Sequence, residues 1–316
     1  MKRTLPTILL GLFSSIALSS PAIAHNHISR SVPSQWKFSY QYMFMDMDGS
    51  RDGTEDLSDQ EVLEEFPVTP TRMIMQGHML GVMYMASPDW SVMAMLPYLT
   101  KEMDFVTRSG QKFTTNSEGF GDLKLTGAYN AIKSKKEHLQ FKFGVSFPTG
   151  SIEEKDDTPA GDDQILAYPM QIGSGTVDIY PSIAYVNRNK EGAWGASAST
   201  VLRLGENNNN YRLGNEFSLS GWVKRNWTDE FASSIRLEGK TIGNIDGEDP
   251  RLNPNLVPNA DPDLQGETRL DLALGVEFSP KKTKLGLEFA FPLYQSLDGP
   301  QLETDWQLRA NLQRSF

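Results

Sequence analysis

The sequence predicts an all-β protein, a transmembrane antiparallel up-and-down β-barrel of about twelve strands with short periplasmic turns and long extracellular loops. Three observations predict this class. Segments of roughly ten residues alternate apolar and polar side chains, the connections between them alternate in length, and an export leader precedes them. A helical fold does not fit, because no long segment of the mature chain repeats apolar residues at the helical period.

The first 24 residues have the features of a secretory signal peptide. Lys2 and Arg3 precede a short apolar core, and Ala22-Ile23-Ala24 is a cleavage motif. The core is too short for a membrane-spanning helix, which needs about 20 apolar residues. We therefore expect a signal peptide at 1–24, a periplasmic tail at 25–34 and a barrel at 35–316, in the outer membrane of a Gram-negative bacterium.

Twelve alternating segments follow, and each predicts one strand. They are 35–47, 71–86, 90–103, 121–132, 138–149, 177–187, 192–204, 212–225, 230–242, 267–279, 283–295 and 303–316. Short connections alternate with longer polar ones rich in Asp, Glu, Asn and Gly. This asymmetry and the even strand number are typical of outer-membrane barrels.

The two faces of these segments differ in polarity. In the fifth segment Leu139, Phe141 and Phe143 share one parity, opposite Gln140 and Lys142. A soluble sandwich would also alternate, but export, loop asymmetry and aromatic residues at segment ends favour the membrane barrel. The charged parity then faces the lumen, and its candidate solute-contact residues are Lys124, Lys142, Arg236, Asp271 and Arg309.

Eleven methionines form a ladder in the first three segments, all at odd positions. They are Met43, Met45, Met47, Met73, Met75, Met79, Met83, Met85, Met93, Met95 and Met103. Spacing by two places side chains on one face of a strand. In the first and third segments that face is the lumenal one, whereas in the second segment Gln76 and His78 on the opposite parity leave the assignment open.

Three roles for this ladder remain open. Thioethers can fill an irregular interior, contact apolar or aromatic solutes, or bind Cu(I). The metal interpretation gains from the tail, because cleavage after Ala24 would expose an amine with His25 and His27 in the spacing that binds Cu(II). We expect no resident cofactor.

Composition excludes other classes of function. The net charge of −10 disfavours a nucleic-acid partner. With no cysteine and only four histidines, the chain shows no nucleophile-and-base pattern, so an enzyme is not expected.

The last segment ends on Phe316, which shares a parity with Trp306, Leu308 and Leu312. This resembles the C-terminal signal that the barrel-assembly machinery recognises in outer-membrane proteins. It predicts that the protein is inserted into outer-membrane lipid by that machinery.

Two blocks, SEGFGDLKLTGAY at Ser117–Tyr129 and FGVSFPTGS at Phe143–Ser151, together with the strand Asp178–Tyr185, resemble the bacterial outer-membrane transporter family associated with the MetA pathway of phenol degradation. The resemblance implies a barrel that passes small, aromatic or otherwise hydrophobic solutes by passive or facilitated diffusion. The alternative is a barrel that handles copper or another soft metal through the methionines and the N-terminal histidines.

Overall fold

The computed structural model describes residues 35–316. Its strands are β1 (Trp36–Gly53), β2 (Glu55–Leu57), β3 (Val68–Met85), β4 (Trp90–Thr107), β5 (Lys112–Phe120), β6 (Leu123–Lys133), β7 (Glu137–Phe147), β8 (Lys155–Thr158), β9 (Gly161–Ile165), β10 (Val177–Arg188), β11 (Gly192–Leu204), β12 (Tyr211–Arg212), β13 (Glu216–Asn226), β14 (Phe231–Ile242), β15 (Asp246–Gly247), β16 (Glu267–Phe278) and β17 (Thr283–Ser315). One helix, α1 (Asp59–Glu65), and two 3-10 turns, Tyr168–Met170 and Pro258–Ala260, lie in the loops.

The main sheet closes on itself. Antiparallel neighbours follow the order β1, β3, β4, β6, β7, β10, β11, β13, β14, β16 and β17, and β17 then pairs with β1. Closure leaves no unpaired strand edge in the wall, as a structure surrounded by lipid requires. The predicted antiparallel barrel is confirmed.

The ring has eleven elements, whereas twelve strands were predicted. Strand β17 explains this difference, and β5 explains why the wall extends beyond the fourth predicted segment. The first half of β17 pairs with β16 and its second half pairs with β1. The chain therefore reverses direction within β17, and its two halves count as two neighbouring strands of the barrel. It bends at Gly299, whose φ of +83° suits glycine, and a Cβ there would lie 2.2 Å from Leu264. The fourth predicted segment corresponds to β6, and β5 continues the same wall above it, since both pair with β4.

The exposed face of the barrel is apolar. Phe141, Phe143, Leu219 and Leu274 are each between 45% and 56% exposed, while their polar neighbours along the strands point inwards. A soluble sandwich would bury these side chains. An apolar exterior around a charged interior is the arrangement expected of a barrel in lipid.

The two ends of the barrel differ. At one end the connections are only a few residues long, for example 134–136 between β6 and β7, which identifies the periplasmic side. At the other end the strands extend beyond the predicted segments. Residues 104–120 were expected to be a loop, but most of them form the outer part of β4 and β5. Backbone pairing continues through this polar sequence because the strands extend beyond the apolar band that faces lipid.

The longest outer loops, 148–176 and 243–266, fold across the mouth of the barrel. Strands β8 and β9 form a small hairpin in the first loop, and β15 of the second pairs with β12. In α1, Ser58 caps the first turn through a reciprocal pair of hydrogen bonds with Glu61. Among residues 35–316, no helix is long and apolar enough to cross a membrane.

Candidate functional site

The methionine ladder lies on one inner wall formed by β1, β3 and β4. Residues paired across antiparallel strands share a face, and Met45 pairs with Met75 while Met73 pairs with Met103. The pairing of β1 with β3 continues without a bulge from Trp36 to Asp48. The second segment therefore has the same orientation as its neighbours, and its methionines face the lumen.

Burial divides the ladder into two clusters. The outer cluster contains Met73, Met103 and Phe105, with Met47 packed at its edge. The second cluster, which we call the inner methionine cluster, consists of Met43, Met79, Met83, Met93 and Met95. Met75 is buried, and Met45 and Met85 are partly buried.

Loop 148–176 supplies two more members of the outer cluster. Leu166 and Met170 of this loop pack against Met73 and Met103, and Met170 is only 1% exposed. Met170 was not predicted to belong to the ladder, because nothing in its local sequence pattern distinguishes a loop residue that folds inwards. This loop therefore plugs the outer end of the lumen.

Lys101 fastens the plug to the wall. Its Nζ donates to the backbone oxygens of Pro169 and Gln171 at 2.7 and 2.6 Å. From β5, the Ser117 hydroxyl donates to the oxygen of Met170 at 2.6 Å, and from the second loop Asn259 donates to the Met103 sulfur at 3.1 Å. The plug is thus held by polar contacts as well as by apolar packing.

The two sequence blocks that carry the family resemblance meet at the base of this plug. The Asp122 carboxylate accepts the N–H of Gly150 and the N–H of Ser174, both at 2.9 Å. Gly150 and Gly173 cross backbone to backbone, and a Cβ on Gly173 would lie 2.3 Å from the Gly150 oxygen. Asp122 and Gly150 of the motifs, together with Gly173 and Ser174, thus anchor the two ends of loop 148–176.

A second clamp joins loop 148–176 to loop 243–266 outside the membrane. Arg251 pairs with Asp249 at 2.6 Å and also with Glu153. The Arg251 guanidinium holds the pKa of the Glu153 carboxyl below its usual range, and Asn209 donates to the same carboxyl at 2.9 Å. This contact is strongest when Glu153 is ionised.

Opposite the methionines, the outer ends of β10 to β16 carry a belt of buried ion pairs. Arg203 pairs with Asp178 and, at 3.3 Å, with Glu216, and all three side chains are at most 2% exposed. On the next strands, Lys240 lies 2.6 Å from Glu267, and Arg269 lies 2.9 Å from Asp271. The predicted lumenal residue Asp271 thus belongs to a structural belt.

Of the remaining predicted charges, Lys142, Arg236 and Arg309 lie deeper along the lumen, whereas Lys124 is in register with Asp178 of the belt through Ser146. Arg236 pairs with Glu288 at 2.5 Å, and Arg309 lies 3.4 Å from the same carboxylate. Lys124 places its Nζ 4.9 Å from the centre of the Tyr180 ring. Lys142 shares the inward face of β7 with Gln140, opposite the exposed Phe141 and Phe143.

The proposed metal ligands His25 and His27 lie outside the described residues. Within residues 35–316, no group of three His, Asp or Glu side chains is placed to hold a metal ion. The two described histidines do not share a site. His78 faces outwards, 2.8 Å from the Tyr40 hydroxyl, whereas His138 lies on the inward face of β7.

A closed antiparallel barrel with an apolar exterior, short turns at one end and long loops at the other is an outer-membrane β-barrel. The COG4313 outer membrane channel from Pseudomonas putida F1 has the same fold: the TM-score is 0.63 at 13% identity, over 93% of this chain and 100% of that one. Residues 81–293 match the family described as "Putative MetA-pathway of phenol degradation", and the chain belongs to this family. The family resemblance is confirmed.

Two other outer-membrane barrels are less similar, with TM-scores below 0.5. The transport unit of the autotransporter AIDA-I from Escherichia coli scores 0.49 at 8% identity, over 95% of this chain and 96% of that one. The Pseudomonas putida toluene transporter TodX scores 0.43 at 9% identity, over 90% of each chain. Among curated proteins, none matches the sequence.

Proposed function

We propose that this protein is an outer-membrane channel for small solutes, with passive or facilitated diffusion through the lumen. The observation that carries this proposal is the charge on the inner wall below the plug. Lys124, Lys142 and Arg236 are only partly buried, and no described carboxylate lies within 4 Å of the first two. An unpaired charge is costly in a dry interior. The lumen between the plug and the periplasm is therefore hydrated.

The family and the fold support the same proposal. The Pseudomonas putida barrel that shares this fold is described as an outer membrane channel. The plug gives a channel a physical means of excluding large molecules, because loop 148–176 crosses the outer mouth and is held by Lys101. Because the plug occupies the outer mouth, we expect a small conductance.

Planar-bilayer recording of the purified protein tests the channel. We expect stepwise conductance from the wild type and a reduced step from Lys142→Trp, which fills the lumen. The matched control is Lys190→Trp on an exposed periplasmic turn, which should conduct like the wild type. A folded wild-type barrel that conducts no ions and admits no small solute in liposome swelling would exclude the proposal.

Export and insertion form part of the same proposal. We assign residues 1–24 to a cleaved signal peptide and 25–34 to a periplasmic tail, with the barrel-assembly machinery binding the last strand. Phe316 packs edge-on against Phe38 with ring centroids 5.4 Å apart, and its N–H donates to Trp36 at 3.3 Å. N-terminal sequencing of protein from outer membranes tests the cleavage site, and a chain beginning at Met1 would contradict it.

Soft-metal handling is the second candidate. The observation that favours it is the inner methionine cluster, where five thioethers from three adjacent strands pack together. Replacing Met43, Met79, Met93 and Met95 with leucine nearly conserves volume and should cost less than about 1.5 kcal/mol per site. Under this candidate the variant loses Cu(I) or Ag(I) binding measured by anaerobic titration, whereas deleting residues 25–27 removes only Cu(II) binding. Equal Cu(I) binding by the wild type and the leucine variant would reject it.

A further inference from the structure

The inward-facing charges balance at the outer end of the lumen. This belt lies at the outer ends of the strands, next to the plug. Its cations are Lys101, Lys124, Arg203, Lys240 and Arg269, and its carboxylates are Asp122, Asp178, Glu216, Glu267 and Asp271. Five positive and five negative groups therefore give this level no net formal charge.

Below the belt, positive charge dominates. The inward-facing cations there are Lys37, Lys142, Arg188, Lys224, Arg236, Lys284 and Arg309, and the carboxylates are Glu238, Glu277 and Glu288. Among the described residues this is a formal excess of four positive charges, in a chain whose net charge is −10. The lumen and the rest of the molecule thus have opposite signs.

The three carboxylates are fewer than the cations around them, so each carboxylate contacts more than one cation or contacts a cation that is itself shared. Glu277 lies 2.9 Å from Lys224 and 3.0 Å from Lys284. Glu288 similarly serves both Arg236 and Arg309, which also lies 3.8 Å from Glu238. A cleft with low-dielectric walls concentrates such a field and attracts ions of the opposite sign.

The cations begin where the methionine wall ends. Lys124 on β6 is the register partner of Met95 on β4, and Met95 packs with Met79 and Met93 in the inner methionine cluster. Lys142 follows on the adjacent strand, four residues closer to the periplasm than Ser146, the register partner of Lys124. The strand that carries Lys124 is thus directly beside the methionine wall, and its ammonium group lies over the Tyr180 ring.

We propose that the solute is a small organic anion with an apolar body, of the aromatic carboxylate class. The carboxylate would pass from Lys124 to Lys142 and then to the cations at the periplasmic strand ends, while thioethers contact the body. The increasing positive charge towards the periplasm favours entry from outside. This inference rests on the proposed channel and names its substrate class.

Reversal potentials across a planar bilayer with a salt gradient test the charge requirement. The probes are potassium benzoate and potassium chloride, and liposome swelling with benzyl alcohol supplies the neutral analogue. We expect the wild type to pass benzoate in preference to both potassium and chloride. In Lys124→Gln/Lys142→Gln, the benzoate-to-potassium permeability ratio should fall at least about threefold at ~0.1 M salt, where the Debye length is about 10 Å. Benzyl alcohol entry should be unchanged.

Two further variants distinguish the contribution of the lysine charges from that of the methionine side chains. Lys124→Arg/Lys142→Arg keeps both charges and should keep the selectivity. Met93→Gln/Met95→Gln should lower the preference for benzoate over chloride at least about threefold, with the chloride-to-potassium ratio unchanged. Lys155→Gln, in the exposed outer hairpin, is the matched control and should behave like the wild type. Heat-modifiable migration on gels verifies that each variant is folded.

The outcomes distinguish this inference from the channel itself. A folded wild type that neither conducts nor admits solutes overturns the channel and the inference together. A conducting wild type that prefers potassium to benzoate, or whose selectivity survives Lys124→Gln/Lys142→Gln, overturns only the inference. If the channel passes chloride as readily as benzoate, the apolar part of the solute does not contribute to selectivity, and the aromatic carboxylate class is rejected.

Discussion

Arg203 holds together the most deeply buried ion-pair group in the barrel. Its guanidinium serves Asp178 and Glu216, whose side chains are 0% and 1% exposed. Its backbone N–H donates to the Asn215 side chain at 2.8 Å, which also ties it to the loop between β11 and β13. Replacing Arg203 with methionine keeps much of the side-chain volume and leaves two buried carboxylates without their cation.

The expected loss of stability follows from this burial. Removing one partner of a buried ion pair costs about 3–5 kcal/mol, because an uncompensated charge remains. Arg203 serves two carboxylates, so we expect the upper half of that range. The control is Arg212→Met, since Arg212 and Asp246 are 36% and 64% exposed and such a pair contributes at most about 1 kcal/mol.

Urea-induced unfolding in detergent micelles, followed by tryptophan fluorescence and by heat-modifiable migration on gels, measures both variants. The triple variant Arg203→Met/Asp178→Asn/Glu216→Gln also removes the two uncompensated carboxylate charges. It should recover at least half of the free energy of unfolding that Arg203→Met loses. A loss below about 1 kcal/mol for Arg203→Met would refute the argument from buried charge. A triple variant no more stable than the single one would refute it as well.

Three further predictions concern the wall, the plug and the loop clamp. Phe143→Arg places a charge on the lipid face and should cost about 2–4 kcal/mol near the bilayer midplane, seen as lost heat-modifiability, whereas Lys142→Gln should still assemble. Lys101→Met removes both bonds to the plug, so bilayer recordings should show a larger and noisier conductance. Because Arg251 lowers the pKa of Glu153 in the folded protein, their contact stabilises at neutral pH and is lost as the pH falls through the carboxyl range. Loop-gating events should therefore become more frequent between pH 7 and about 3, and Glu153→Gln should show that frequency already at pH 7.

Each of these predictions has a control. Lys112→Met removes an exposed lysine near the outer tip of β5 and should leave the conductance unchanged. If Lys101→Met also leaves it unchanged, the plug does not depend on that lysine. Normal assembly of Phe143→Arg would mean that the lipid and lumen faces are exchanged. If gating of the wild type does not depend on pH, the contact between Glu153 and Arg251 does not hold the two loops together.

The strands were predictable because each one carries its own signal. An apolar side chain at every second position identifies a strand and its exposed face within a single segment, as in Leu139, Phe141 and Phe143. The same rule failed for residues 104–120. There the outward positions are polar, as Asp104 and Thr114 show, and the hairpin is recognisable only from the pairing of β4 with β5.

The interior was less predictable because it depends on contacts between distant segments. Parity left the face of β3 open, and only its register with β1 assigns Met75 and Met79 to the lumen. Met170 lies in a loop far along the chain from Met73, and no local spacing joins them. The division of the lumenal charges into a balanced belt and a cationic interior likewise depends on the stagger of the strands.

Most of the family-motif residues at the base of the plug have a structural role. Asp122 and Gly150 of the motifs meet Gly173 there, where a carboxylate and two glycines hold the ends of one loop. None of them supplies a side chain to the cationic part of the lumen. Family membership therefore accounts for the scaffold and its plug. The choice of solute depends on Lys124, which lies inside the first motif, and on Met95 and Lys142, which lie outside both blocks, with Lys124 in register with Met95 where charged and apolar strands adjoin.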